Sequence, residues 1–157
     1  YAVGLPGYTF WQTFHMTAPK MQFYDTMLNP NVSFARHALS IDEGRADFDR
    51  VPWGSPKDHK DTQPIWFKQL WFAGNHSDIG GSYPENESRL SDIALRWMVD
   101  EARSLPEPLN IDETLLRLYP AADGMQHDEC KTGVFRYAKR LVRSVPKDAP
   151  LHETVVY

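Results

Sequence analysis

The chain has 157 residues and a formal charge of −4 at pH 7; at this length one domain that buries roughly 68–70% of its unfolded surface is the default. Hydrophobic residues make up 41% and charged residues 24%, a balance that argues against disorder, and the acidic total with no long basic run argues against a nucleic-acid surface. A single cysteine, Cys130, leaves no internal disulfide or cysteine metal cluster, and no apolar run approaches the roughly 18 residues of a transmembrane helix.

The opening stretch, YAVGLPGY, reads as the end of a strand entering a turn and shows no signal peptide. The closing LHETVVY stops inside an ordered segment, so a piece of a longer protein is expected. Residues 4–30 mix Gly, Pro and aromatic residues with no sustained period, which predicts a long connection with one helical turn over 20–27. The run NVSFARHALSID predicts a core strand over 36–41. Residues 43–63 are charged and carry two prolines and two glycines, as a surface loop does. Then IWFKQLWFA, residues 65–73, gives the strongest strand signal, its nearly unbroken apolar character suiting a strand buried on both faces. After a Gly-Gly turn, residues 87–105 place Leu90, Ile93, Ala94, Trp97, Met98 and Ala102 on one helical face, with Ser88 or Ser91 as N-cap. DETLLRLY from Asp112 and TGVFRYAKRLV from Thr132 are weaker helix candidates. Strand, turn and helix in this order form the α/β building block.

In open α/β sheets, ligands and catalytic groups gather at the carboxyl ends of the strands. Asp42 ends the first predicted strand and His76 follows the second, so both are expected at one sheet edge, where a base and its orienting acid belong. The order Asp before His matches the α/β-hydrolase order Ser, Asp, His, but no Gly-x-Ser-x-Gly elbow occurs in the chain. A serine mechanism therefore expects its nucleophile upstream of Tyr1. Ordinary roles compete: Asp42 could pair with Arg45 or Arg36, Asp78 could cap the turn or bond backbone amides near Gly80 and Gly81, and those glycines could permit positive φ or form an anion-binding nest. A weaker alternative is a divalent-metal phosphoesterase, with His76 and Asp78 joined by Asp42, His37 or Asp25. His15, His59 and His127 stand in irregular polar context and suggest no role.

HALSIDE (37–43), QLWFAGNHSDIGGSY (69–83) and LSDIALRWMVDEA (90–102) resemble, in order and spacing, the catalytic domain of type VI secretion phospholipase effectors. Ser40, Asn75 and Ser82 replace an alanine, a more apolar residue and a glycine of that pattern. The resemblance implies an α/β-hydrolase fold, a mostly parallel sheet flanked by helices, with residues 1–157 forming its C-terminal part without the nucleophile half. It implies a lipid-ester hydrolase using Ser, Asp and His, with His76 as base and Asp42 as orienter. The HETV at His152 matches a late motif of the family and keeps a rival pair, Asp78 with His152, open. No cofactor and no metal are implied. The expected partners are a phospholipid substrate, the secretion machinery and an immunity protein, and the expected location is the bacterial cytoplasm before export into target cells. The competing class is an inactive fragment with an interaction role only.

Overall fold

The structure, a computed structural model, describes residues 28, 31–48, 66–131, 133–137 and 139–155. The expected helical turn over 20–27, most of the 43–63 loop, and His15, Asp25 and His59 lie outside the described residues.

Strands β1 (Ala35–Ser40) and β2 (Phe67–Phe72) pair in parallel, in the register Ala35↔Phe67 through Ser40↔Phe72. Both fall within a residue or two of the stretches expected as strands, 36–41 and 65–73. The pairing continues past β1, where the Ile41 amide donates to the Phe72 carbonyl and the Asp42 amide to the Gly74 carbonyl, each at 3.0 Å. On the far side of β2, Trp71 bridges Leu151 in parallel, so the chain near 150 lies alongside β2 as a third extended segment. The described residues therefore form a small parallel α/β arrangement.

Alternation of side chains sorts the sheet into two faces. One carries Arg36, Ala38, Lys68, Leu70 and Phe72 and packs against helix α2 (Arg89–Arg103). Phe72, Leu90, Ile93, Ala94 and Trp97 form the core there, with Ala38, Leu70, Ile79 and Met98 around it. At the margin of this face Glu101 of α2 accepts from Arg36 Nε at 2.6 Å and from Lys68 Nζ at 2.7 Å. The opposite face presents His37 and Gln69, cross-strand neighbours joined at 2.9 Å, beside the buried Leu39 and Trp71. Apolar residues on both faces explain why β2 lacks the period of a half-exposed strand.

A short helix α1 (His76–Gly80) follows β2 and packs on α2. Ser88 occupies the N-cap of α2 without a capping side-chain bond; its hydroxyl donates to Glu85 O at 3.1 Å instead. Among the described residues the two weaker helix candidates form 3-10 turns, at Glu113–Leu115 and Gly133–Tyr137. Leu115 is 78% exposed and Tyr137 67% exposed, so neither side chain adds the apolar burial that would extend its turn into a helix. The surface-loop reading also fails at its start: Glu43 and Arg45 are buried, because each neutralises the other.

Candidate active site

The site is built around the turn between β2 and α1. Gly74 has φ +113°, and a Cβ there would lie 2.6 Å from the Asp78 Cβ, so only glycine lets the chain fold back so tightly. Gly81 also has positive φ, at +76°, whereas Gly80 has ordinary helical backbone and open space around it.

Five successive amides of this turn are held by side chains. Gly74 N–H donates to Asp42 Oδ2 at 2.8 Å, Asn75 N–H to Asp78 Oδ2 at 2.9 Å, and His76 N–H to Glu43 Oε2 at 3.2 Å. Ser77 and Asp78 N–H both donate to Asn75 Oδ1, at 2.7 and 2.9 Å. Asn75 and Asp78 thus make a reciprocal capping box. Asn75 Nδ2 also donates to Tyr83 Oη at 2.9 Å and to His127 O at 3.0 Å, which uses the full hydrogen-bonding capacity of a buried asparagine. The Gly81 amide donates to Ser77 O, so the Gly-Gly segment closes the helix and does not open an anion nest. With these amides engaged, an oxyanion hole has to draw its donors from elsewhere.

His76 is the first residue of α1, at the carboxyl end of β2, and is exposed. Its imidazole lies against Phe48, ring centroids 5.4 Å apart, and among the described residues neither ring nitrogen has a hydrogen-bond partner. Asp42 lies at the same sheet edge, also exposed, with one carboxylate oxygen on Gly74 and the other unengaged among the described residues. It pairs with neither Arg36, which binds Glu101, nor Arg45, which binds Glu43. The strand ends thus bring Asp42 to the turn that carries His76, without a hydrogen bond between the two side chains.

Asp78 and His152 are not brought together. Asp78 is buried and turns to His127, whose Nδ1 lies 2.7 Å from Oδ1 and whose backbone amide donates to Oδ2 at 3.1 Å. The His127 ring stacks on Tyr83 at 3.6 Å between centroids, and its Nε2 lies 3.3 Å from Glu87 Oε2. Partial burial opposes protonation of His127, but the two carboxylates outweigh it and hold the imidazole pKa above its ordinary value. Tyr83 in turn donates to Glu129, and burial together with this carboxylate raises its pKa to about 12. His152 stacks on Phe72 at 4.7 Å and shares a 2.9 Å bond with Thr154 Oγ1; burial holds its pKa below the ordinary value.

Sequence reasoning passed over His127 and Glu43, and considered Arg45 only as a partner for Asp42. Nothing local marks His127, which reaches the turn from 49 residues beyond Asp78. Glu43 was open to inference: the first amides of any helix need acceptors, and a carboxylate directly after Asp42 is at hand to serve one. Of the residues considered for a metal, His37 lies on the sheet with Gln69, and no three His, Cys, Asp or Glu among the described residues are grouped to hold an ion.

A family model described as "T6SS, Phospholipase effector Tle1-like, catalytic domain" matches residues 1–101. The chain belongs to this family. The match covers β1, β2, the turn at 74–78 and nearly all of α2, and so contains Asp42, His76 and Asp78. An uncharacterized protein of Saccharomyces cerevisiae, YEL023C, is 46% identical over 37 residues, covering 22% of this chain and 5% of that protein. The chain therefore aligns with only a small part of that relative. No solved structure matches. No helix among the described residues of this family member is long and apolar enough to cross a membrane.

Proposed function

We propose that the protein is a phospholipase-type lipid-ester hydrolase with a Ser-Asp-His mechanism on an α/β-hydrolase fold. Residues 1–157 supply the part of the catalytic domain that follows the nucleophile, and the serine lies upstream of Tyr1. The observation that carries the reading is the presentation of His76: backbone pinned at a strand end, ring exposed, both nitrogens without a hydrogen-bond partner among the described residues, in a family of phospholipase effectors. A base needs one nitrogen for the serine hydroxyl and one for the acid that sets its tautomer. His127 and His152 have ring nitrogens already engaged.

In this mechanism His76 takes the serine proton as the hydroxyl oxygen attacks the acyl carbonyl, then protonates the leaving alcohol. Water repeats the sequence on the acyl-enzyme. Asp42 is the orienting acid, because it keeps an unengaged oxygen at the same sheet edge, whereas the Asp78 oxygens are committed to Asn75 and His127. Export into target cells after a cytoplasmic stage, a phospholipid substrate, a secretion-machinery contact and a cognate immunity protein belong to the same proposal through the family.

The test is product analysis with the full-length protein and phospholipid vesicles. Release of fatty acid, unaffected by chelators and blocked by a fluorophosphonate that labels one serine, is expected. Release of a phosphorylated headgroup that stops on chelation would replace this reading with the metal-dependent phosphoesterase. A folded protein that releases neither would leave the interaction role.

A further inference from the structure

Two carboxylates in succession leave β1, and the reaction above uses only the first. Glu43 is 2% exposed, more deeply buried than Asp42. Its acceptor positions are filled: Oε1 takes the Arg45 backbone N–H and Nε–H, each at 2.8 Å, while Oε2 takes Arg45 Nη2–H at 2.7 Å and the His76 amide at 3.2 Å. Burial alone would raise the Glu43 pKa, but the Arg45 bonds and the His76 amide outweigh it and hold the carboxyl below the ordinary range. A two-point guanidinium–carboxylate pair fixes the plane of the carboxylate as well as its place. The remaining lone pair is thereby aimed at His76.

The first N–H groups of a helix have no partner within it. Asn75 serves the second and third of α1, and Glu43 serves the first, that of His76. Holding this amide restrains φ at His76, and φ sets the direction in which the side chain leaves the backbone. Arg45 reaches the other end of the residue. Its guanidinium lies 3.9 Å from the Phe48 ring centroid and 4.6 Å from that of Phe135, and Phe48 is the ring that meets the imidazole. Stability alone is a weak reason for burying such a pair, since replacing a buried ion pair by apolar residues of similar size is often neutral or stabilising.

We propose that the Glu43–Arg45 pair positions His76 from two sides, Glu43 holding its amide and Arg45 holding Phe48 against its ring, so that the imidazole stays in the orientation that accepts the serine proton. The inference rests on the reading of His76 as base. Glu43, Arg45 and Phe48 are positioning residues; none of them transfers the proton.

The test compares the full-length parent, the paired variant Glu43→Leu with Arg45→Met, Phe48→Leu and His76→Ala on a soluble short-chain nitrophenyl ester, with thermal unfolding of each. Misplacing a catalytic group by about 1 Å can cost on the order of 100-fold. The paired variant is therefore expected to lose about 10- to 100-fold in kcat, with KM within about twofold and an unfolding midpoint within a few degrees of the parent. Its His76 ring signals in a histidine-labelled NMR spectrum are expected to shift. Parent kcat per folded molecule with unshifted signals, beside an inactive His76→Ala, would overturn the positioning role and leave the base in place. An active His76→Ala would remove the base and the proposal together. Should the paired variant not fold, Phe48→Leu reads the ring contact alone: a several-fold loss in kcat at unchanged KM supports the proposal, and parent kcat with unshifted His76 signals overturns it.

Discussion

The turn at 74–78 and the segment at 104–131 are both irregular in sequence, yet they are held in different ways. In the turn, five consecutive amides are served by side chains from as far away as Asp42 and Glu43, more than 30 residues upstream. In the outer segment several bonds reach three residues back, as Leu115 to Asp112, Gly124 to Ala121 and Lys131 to Asp128 do. Leu109, Leu115 and Met125 there are exposed. Locally bonded turns add little constraint on tertiary position, whereas a turn held by distant carboxylates fixes where its side chains point. The region that presents His76 belongs to the second kind, and His127 is a point where the outer segment is fastened to it.

Removing the fastening has the largest expected effect on stability. Asp78→Ala leaves the Asn75 amide and both His127 donors without their acceptor, and losing one partner of a buried charged network typically costs about 3–5 kcal/mol. Denaturant unfolding checks this; a loss below about 1 kcal/mol would mean that the clasp contributes little. Gly74→Ala comes next, at roughly 2–3 kcal/mol, from the positive φ and the contact with Asp78.

A smaller effect, distinguished by its pH dependence, belongs to His127→Gln. The folded pKa of His127 is raised, so its contribution is fully present below the ordinary imidazole value of 6.5 and is lost as pH rises through the folded value. His37 and His152 have lowered values, so their contributions run the other way, present above 6.5 and lost as pH falls through their folded values. Both stand in parent and variant alike. The stability difference between the two proteins, measured from pH 5 to 9, is therefore expected to reach about 1–2 kcal/mol at the acid end and to shrink with rising pH; a difference independent of pH would detach His127 from the two carboxylates. The smallest effect is Leu115→Ala, within about 0.5 kcal/mol, because the side chain is already in water.

The same contrast explains what could be read in advance. Strand β1, strand β2 and helix α2 were legible near their observed positions from residue type and, for α2, periodicity; of the two glycines read as a turn only Gly81 has positive φ, and Gly80 instead ends the short helix α1, which no sequence period marked. Asp42 and His76 were legible as strand-end residues. The Asp78–His127 clasp was not, since it joins a capping residue to a histidine in a polar stretch without any period. Glu43 and Arg45 were read as loop because two charges in a charged segment look solvated; their burial depends on each other, on the His76 amide and on the rings of Phe48 and Phe135. Asn75, a departure from the apolar residue of the family pattern, anchors the capping box and bonds Tyr83 and His127 as well.

The most direct measurement is fatty-acid release from phospholipid vesicles by the full-length protein, beside its His76→Ala variant at equal folded concentration. The expected result is an active parent and a fall of about 10³- to 10⁴-fold or more in the variant, the scale on which removing a triad member acts. A variant that releases fatty acid at the parent rate would contradict the assignment of His76 as the base.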